Sequence, residues 1–377
     1  MKILFLVQGE GRGHLTQATT MERMLERHGH QVVEMLVGKS KSRKPPKFFE
    51  DGVHAKVEYF ESVNFVASID QKRPNMVKTV FRNLFQAFKF FPPVRMIRRR
   101  IKRSGADLIV NFYESLGSVA YRTTNRSIPM VCIAHQFLFL HKDMELPIRG
   151  YEEHVGLDIF SRAIARDCAG ILALSFRDMP DDIEHDIKVV PPLLRPELLA
   201  FRGKDGQNSP EFKEGDYILG YMLNAGFADE VRKWHREHMD VKLHFFWDNK
   251  EHGDVYKEDE TLTFYYLNDK EFLRQMAGCK AYASTAGFES ICEAMYLGKP
   301  LMMVPSHIEQ KCNAYDATRF HAAVSAEQFN LSVLENFAKT DFQPDEAFPD
   351  WANSAESMII NELERVASTY KRPQDDI

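Results

Sequence analysis

The chain has 377 residues, of which 44% are hydrophobic and 27% charged. At roughly 100–200 residues per domain this predicts a globular protein of two domains or three. Its 20 glycines and 17 prolines are too few for a fibrous or low-complexity chain, and no apolar run approaches the ~18 residues that a membrane-spanning helix needs. The five cysteines (132, 168, 279, 292 and 312) are scattered and odd in number. This argues against a disulfide framework or a zinc site and leads us to expect a reducing cytoplasm.

The apolar run between Lys2 and Gln8 is too short for a signal-peptide core and reads as a first strand over 2–7. A helix follows over 15–27, with apolar residues at 15, 18, 21, 24 and 25 and Gly29 as its stop, then a strand over 31–37. Further buried strands are expected at 108–110, 130–134, 170–174 and 187–190. The alternation stops at Pro191-Pro192, and 202–216 is polar and turn-rich. It restarts with strands at 217–223, 242–247, 262–266, 281–283 and 300–304 and helices at 226–238, 271–277 and 288–297. Such alternation implies parallel sheets covered by helices on both faces. The expected fold class is therefore α/β, with two Rossmann-like domains facing across a cleft, the default ligand site. We expect a first domain over 1–195, a linker over 196–215 and a second domain over 216–348. A helical tail fills 349–377, with an apolar stripe at 355, 359, 363, 366 and 370.

The net charge is −5, yet residues 78–103 hold nine Lys or Arg and no acid. Phe81, Leu84, Phe85, Phe88 and Phe91 share a helical stripe, with Lys78, Arg82 and Lys89 opposite. Pro92-Pro93 is expected to break the helix before Arg95, Arg98, Arg99, Arg100, Lys102 and Arg103. One local basic patch on an acidic chain speaks for a local anionic partner, not nucleic acid. Two readings stand: a basic amphipathic helix on an anionic membrane surface, worth about 1 kcal/mol per basic residue, or an aromatic face packed in the core beneath a solvated rim.

Gln8-Gly9-Glu10-Gly11-Arg12-Gly13-His14 lies between a strand and a helix. Alternating glycines let the backbone approach a ligand or a neighbouring element, and a helix N-terminus offers free N–H groups. The spacing is not the Gly-x-Gly-x-x-Gly of dinucleotide binding, although Glu34 stands about where the ribose acid of that motif would fall. The other reading centres on His14, at the carboxyl edge of the sheet, where an imidazole of ordinary pKa (about 6.5) can accept a proton. A purely structural capping role is the alternative.

Ser284-Thr285-Ala286-Gly287-Phe288-Glu289-Ser290 again runs from strand to helix, with small residues that free backbone N–H groups for an anion. Glu293 follows Glu289 by one turn on the same face, and a carboxylate there can accept a pair of ribose hydroxyls. Glu309 and Gln310 are expected just past a strand end, where they can grip hydroxyls.

Over 287–314 the order Gly-x-x-Ser-x-x-Glu-Ala-x-x-x-Gly-x-Pro, then Pro-x-x-x-Glu-Gln-x-x-Asn-Ala, resembles the nucleotide-sugar signature of two-domain (GT-B) glycosyltransferases. It is most similar to the UDP-glycosyltransferase box and also resembles the lipid II-forming N-acetylglucosaminyltransferase. The loop Gly-x-Gly-x-Gly-His-x-x-Gln-Ala at 9–18 resembles the acceptor side of the same group. The resemblance implies that Gly287 and Ser290 contact the donor diphosphate, with Asn224 and Gly226 lining it from the first strand of the second half. It implies that Glu293 binds the ribose, Tyr266 and Leu267 flank the uracil, and Glu309 and Gln310 hold the sugar. It makes His14 the general base, beside an acceptor-side loop containing Gly11 and Gly13, with His135 and Gln136 at a strand end facing the acceptor. The tail is then a helix crossing back onto the first domain. Thr285 stands where the box has a phosphate-contacting His, and Phe288 where it has a Trp. Asn111 stands closest to the acid expected to support the base, and an amide cannot stabilise an imidazolium as a carboxylate does; Glu114 is the substitute.

Retaining members of this fold carry two glutamates eight positions apart, and eight positions before Glu293 lies Thr285. Inversion by direct displacement follows. The sequence has no Asp-x-Asp, so we expect no metal and no cofactor, with backbone N–H groups and helix dipoles facing the leaving UDP. The expected function is inverting transfer from a UDP-sugar to a hydroxyl acceptor, a lipid or lipid-linked glycan if 78–103 meets a membrane, with a cytoplasmic protein peripheral to its inner face. The alternatives are a UDP-N-acetylglucosamine 2-epimerase, which shares the fold, and a non-catalytic sugar-nucleotide or glycolipid binder.

Overall fold

The computed structural model describes residues 1–41, 43–62, 87–147, 151–201, 214–222 and 225–371. Two parallel sheets organise them. The first contains β1 (Lys2–Gln8), β2 (Gln31–Lys39), β3 (Lys56–Glu61), β4 (Leu108–Phe112), β5 (Met130–Ala134), β6 (Gly170–Leu174) and β7 (Ile187–Val190). Their order is β3-β2-β1-β4-β5-β6-β7, and every pair is parallel. The second contains β8 (Ile218–Tyr221), β9 (Leu243–Trp247), β10 (Val255–Lys257), β11 (Leu262–Tyr266), β12 (Ala281–Ser284), β13 (Leu301–Met303) and β14 (Ala323–Ser325). Its order is β10-β11-β9-β8-β12-β13-β14, with only β10 antiparallel. Strands β4 and β5 are buried at every position, as sheets covered on both faces require. Strands β3, β10 and β14 escape sequence reading because edge strands are short and part polar, without a continuous apolar run.

In each sheet the chain winds both ways from one central strand. Strand β1 sits between β2 and β4, and β8 between β9 and β12. A crevice opens at such a switch point, beyond the carboxyl ends of the strands. Helix α1 (Gly13–Arg27) leaves β1 there and ends at Gly29, whose φ of 73° is a glycine conformation.

Helix α2 (Lys47–Gly52) buries Phe49. Helix α3 (Phe91–Arg103) takes Pro92-Pro93 into its own first turn, so the prolines start a helix where a break was expected. It buries Ile97 and Ile101 against the first sheet, while Arg95, Arg98, Arg99, Lys102 and Arg103 face solvent and Phe91 is 73% exposed. Arg100 turns inward to Glu58 and lies 3.6 Å from Glu34. Glu34 also meets Lys56 of β3 at 3.3 Å, so its carboxylate lies between a cation of the sheet and one of α3. Residues 77–86 of the aromatic stripe lie outside the described residues.

Helices α4 (Ser115–Arg122) and α5 (Tyr151–Ala165) complete the covering of β4 and β5. The proposed linker begins with helix α6 (Pro196–Leu199), and most of the rest of it lies outside the described residues. Helices α7 (Ala228–His235), α8 (Asp269–Gly278), α9 (Phe288–Tyr296), α10 (Ile308–Ala317) and α11 (Leu331–Thr340) belong with the second sheet.

The tail is two helices, α12 (Phe348–Asn353) and α13 (Ala355–Thr369), where one was expected. The Ser354 hydroxyl between them donates to the Trp351 carbonyl at 2.7 Å and so competes with the helical ladder. The tail crosses back: Trp351 Nε1 donates to Ser175 O at 3.1 Å, and the Tyr370 hydroxyl donates to Arg126 O at 2.9 Å. Ile359, Ile360, Leu363 and Val366 are buried in a core shared with β1 and β4. No helix among the described residues is long and apolar enough to cross a membrane.

Candidate active site

The loop after β1 supplies the first half of the site. A side chain at Gly9 would stand 2.8 Å from Val37 Cγ1 and 2.9 Å from Gly38 O. Gly11 faces open space, and a Cβ on Gly13 would run into the Glu289 carboxylate of the second domain. His14 is the second residue of α1 and is 9% exposed. Its Nδ1–H donates to Gln17 Oε1 at 3.2 Å, and its ring stacks on Tyr113 with centroids 5.8 Å apart. Burial lowers its pKa to about 4, against an upward pull from Gln17. The ring is therefore neutral at neutral pH, with Nε2 as its proton acceptor.

Glu114 is not hydrogen-bonded to His14. It caps α4, accepting from Leu116 N at 3.0 Å and from the Ser62 hydroxyl at 2.7 Å, and burial pushes its carboxyl up to about 7. The reason is Tyr113, whose φ of 60° turns the chain so that Tyr113 meets His14 while Glu114 lies against Gly38. Asn111 braces this turn: Oδ1 accepts from Glu114 N at 2.7 Å and Nδ2 donates to Ser118 Oγ at 2.8 Å.

The loop after β12 supplies the second half. Thr285 is buried, Ala286 sits at φ 61°, and Gly287 caps α9 in extended conformation. A non-glycine residue held left-handed is a strained choice, and such residues cluster at ligand clamps. Ser290 Oγ donates to Gly287 O at 3.2 Å. Glu293 is engaged by Arg195, whose Nε lies 2.7 Å from Oε1; burial pushes the carboxyl up, against the pull of that guanidinium. Gly226 lies in the 3-10 turn Ala225–Phe227 that follows β8, and Asn224 lies outside the described residues. Tyr266 ends β11 with Lys250 Nζ 4.8 Å from its ring centroid, and Leu267 packs on the core.

Glu309 and Gln310 stand past the end of β13, in the first turn of α10. Burial pushes the Glu309 carboxyl up, against a downward pull from Gln136. The Gln310 carbonyl accepts from Ser306 N at 2.9 Å and from its hydroxyl at 2.7 Å, so this oxygen holds the turn. His135 is 1% exposed and stacks on Phe288 at 3.9 Å, with Nδ1–H donating to Leu174 O at 2.6 Å. It is packed between the domains, where the acceptor side of the cleft was expected.

The two switch points therefore face each other. Arg12 pairs with Asp269, Gln17 donates to Glu289 and Arg195 grips Glu293, each from the first domain or its exit to the second. Sequence reading missed Tyr113 and Arg195, quoted Gln17 only as a position of the 9–18 motif, and gave Gln17 and Glu289 no role of their own. The available signal for Gln17 was its place one helical turn after His14. Among the described residues no three His, Cys, Asp or Glu are grouped to hold a metal ion.

Residues 1–340 match the model of glycosyl transferase family 1. The chain belongs to this family. It is a GT-B glycosyltransferase that moves a sugar from a nucleotide-sugar donor to an acceptor hydroxyl. Solved structures share the fold. Acinetobacter baumannii MurG is 16% identical at a TM-score of 0.57, over 97% of this chain and 99% of that one. Arabidopsis thaliana UGT89C1, complexed with UDP-L-rhamnose, is 15% identical at 0.63, over 97% and 98%. The glycosyltransferase VinC, in complex with dTDP, is 12% identical at 0.61, over 98% and 100%. No curated protein matches the chain.

Proposed function

We propose that this glycosyltransferase takes its sugar from a UDP-linked donor and transfers it with inversion, His14 Nε2 removing the proton of the acceptor hydroxyl. The observation that carries the reading is the meeting of the two loop-to-helix turns, with Gly13 and Gln17 of α1 directly against Glu289 of α9. A donor lying along the α9 N-terminus presents its anomeric carbon to the space that His14 borders. Gly287 and Ser290 take the diphosphate through N–H and hydroxyl donors, with Gly226 lining it. Glu293 takes the ribose, Tyr266 and Leu267 flank the base, and Glu309 and Gln310 reach the sugar. Thr285, eight positions before Glu293, denies the site the second glutamate of retaining enzymes. The acceptor belongs to a lipid or lipid-linked glycan: the outer face of α3 carries five exposed cations beside the exposed Phe91, which suits an anionic bilayer surface.

Thermal melts with UDP and UDP-sugars test the donor. A ligand at 100 times its Kd adds ~2.7 kcal/mol, and we expect the shift from UDP to vanish in Glu293→Ala; an unchanged shift overturns this ribose site. Flotation with vesicles rich in anionic lipid tests the surface, and absence of binding rejects it.

A further inference from the structure

The His14 ring depends on a second domain for its orientation. Gln17 Oε1 accepts the Nδ1–H of His14, and Gln17 Nε2 donates across the cleft to Glu289 Oε1. A glutamine side chain can turn over and exchange its oxygen and nitrogen. Turned over, it would offer N–H to His14 Nδ1, drive the proton to Nε2 and present a donor to the acceptor hydroxyl instead of a base. Burial pushes the Glu289 carboxyl up to about 7; above that pH it is a carboxylate, which only accepts, so it requires the nitrogen of Gln17 on its own side and leaves the oxygen for His14.

We propose that Gln17 and Glu289 are a positioning pair that sets the tautomer of His14, so that the base is correctly protonated only when the second domain is closed on the first. The pair takes the place of the acid that directly supports the base elsewhere, since Glu114 faces Ser62 and the α4 N-terminus. Gly13 belongs to the same device, because only a residue without Cβ lets Glu289 come this close to α1. The charged groups around Glu289 are Glu293 on its own helix and Glu309 on α10; Tyr113 from the β4 turn covers the His14 ring. The catalytic meaning of the pair rests on His14 being the base, whereas the tautomer is a property of the protein alone.

Histidine-selective 15N labelling at pH 8 reads the tautomer, with the His14 signal identified by its absence from His14→Asn. We expect Nδ1–H in the wild-type protein and a mixture of tautomers in Gln17→Leu and in Glu289→Gln. The exchange Gln17→Glu with Glu289→Gln rebuilds the chain with the carboxylate beside the imidazole. It should restore pure Nδ1–H and raise the His14 pKa by about one unit or more. Thermal melts confirm that each variant is folded. UDP release from UDP-glucose and UDP-N-acetylglucosamine, with water as acceptor, should fall about 10-fold or more in Gln17→Leu, with the Kd for UDP within about threefold. Pure Nδ1–H in both single variants, or a double variant that stays mixed, overturns the pair. Undiminished UDP release in His14→Ala instead overturns the base, leaving the tautomer result to stand or fall by itself.

Discussion

Arg195 closes on a single oxygen of Glu293, with Nε at 2.7 Å and a terminal nitrogen at 2.5 Å from Oε1. The side chains are 13% and 3% exposed, and the same guanidinium stands 3.5 Å from Asp269. A carboxylate this buried is stable as an ion only with its cation present. Arg195→Leu alone should therefore cost ~3–5 kcal/mol, because it strands a buried charge, while Arg195→Leu with Glu293→Leu should recover most of that loss. Urea unfolding of the two single variants and the double closes the cycle. A loss under about 1 kcal/mol for Arg195→Leu would show that the pair is solvated after all.

The two glycines before His14 should behave differently. A Cβ at Gly11 meets nothing within 4 Å, while one at Gly13 meets the Glu289 carboxylate. Gly11→Ala should leave stability within about 0.5 kcal/mol. Gly13→Ala should cost ~1–3 kcal/mol by forcing the domains apart, and should lower UDP release with it. Equal effects of the two substitutions would contradict the close approach of α1 and α9.

Glu114 predicts a pH dependence of stability. Burial raises its carboxyl from 4.5 to about 7, and Oε2 has no hydrogen-bond partner. The folded chain then holds a proton that the unfolded chain has released, so this group lowers stability as pH rises from about 4.5 to 7. Glu114→Gln removes the titration. Relative to the wild type, the variant should gain stability on going from pH 5 to pH 8, by up to ~3 kcal/mol. Melting curves at the two pH values check this, and a constant difference between the proteins rejects the raised carboxyl.

The tail offers a contrast between apolar and ionic anchoring. Glu356 bonds to Arg27 at 2.6 Å and approaches His28 at 3.1 Å, but these groups are a third to a half exposed. Leu363 is fully buried in the core shared with the first sheet. Glu356→Ala should cost less than about 1 kcal/mol, and Leu363→Ala ~2–5 kcal/mol. Denaturant midpoints decide, and the reverse order would mean that charge, not burial, holds the tail.

The alternation of apolar runs and glycine-stopped helices was enough to place β1, α1, β2 and the buried strands of both sheets. A fully buried strand or an amphipathic helix writes its environment into consecutive residues. For the same reason the glycine loop with His14 and the box from Gly287 to Glu293 could be found as local strings and set at strand ends. Edge strands such as β10 carry no such signature. The splitting of the tail at Ser354 came from one hydroxyl competing for a backbone carbonyl.

The meeting of the two halves belongs to the tertiary structure alone. Which carboxylate stands near His14 depends on Tyr113 turning Glu114 away and on α9 bringing Glu289 to Gln17, a residue 272 positions distant in sequence. Glu293 meets Arg195 because the chain leaving β7 passes the second sheet's switch point. The amino-acid sequence by itself determined the two sheets, the two loops and their chemistry, since those follow from short-range pattern. The folded molecule decided which side chains face one another across the cleft, because hydrogen-bond partners and burial are set by distances that local sequence does not encode.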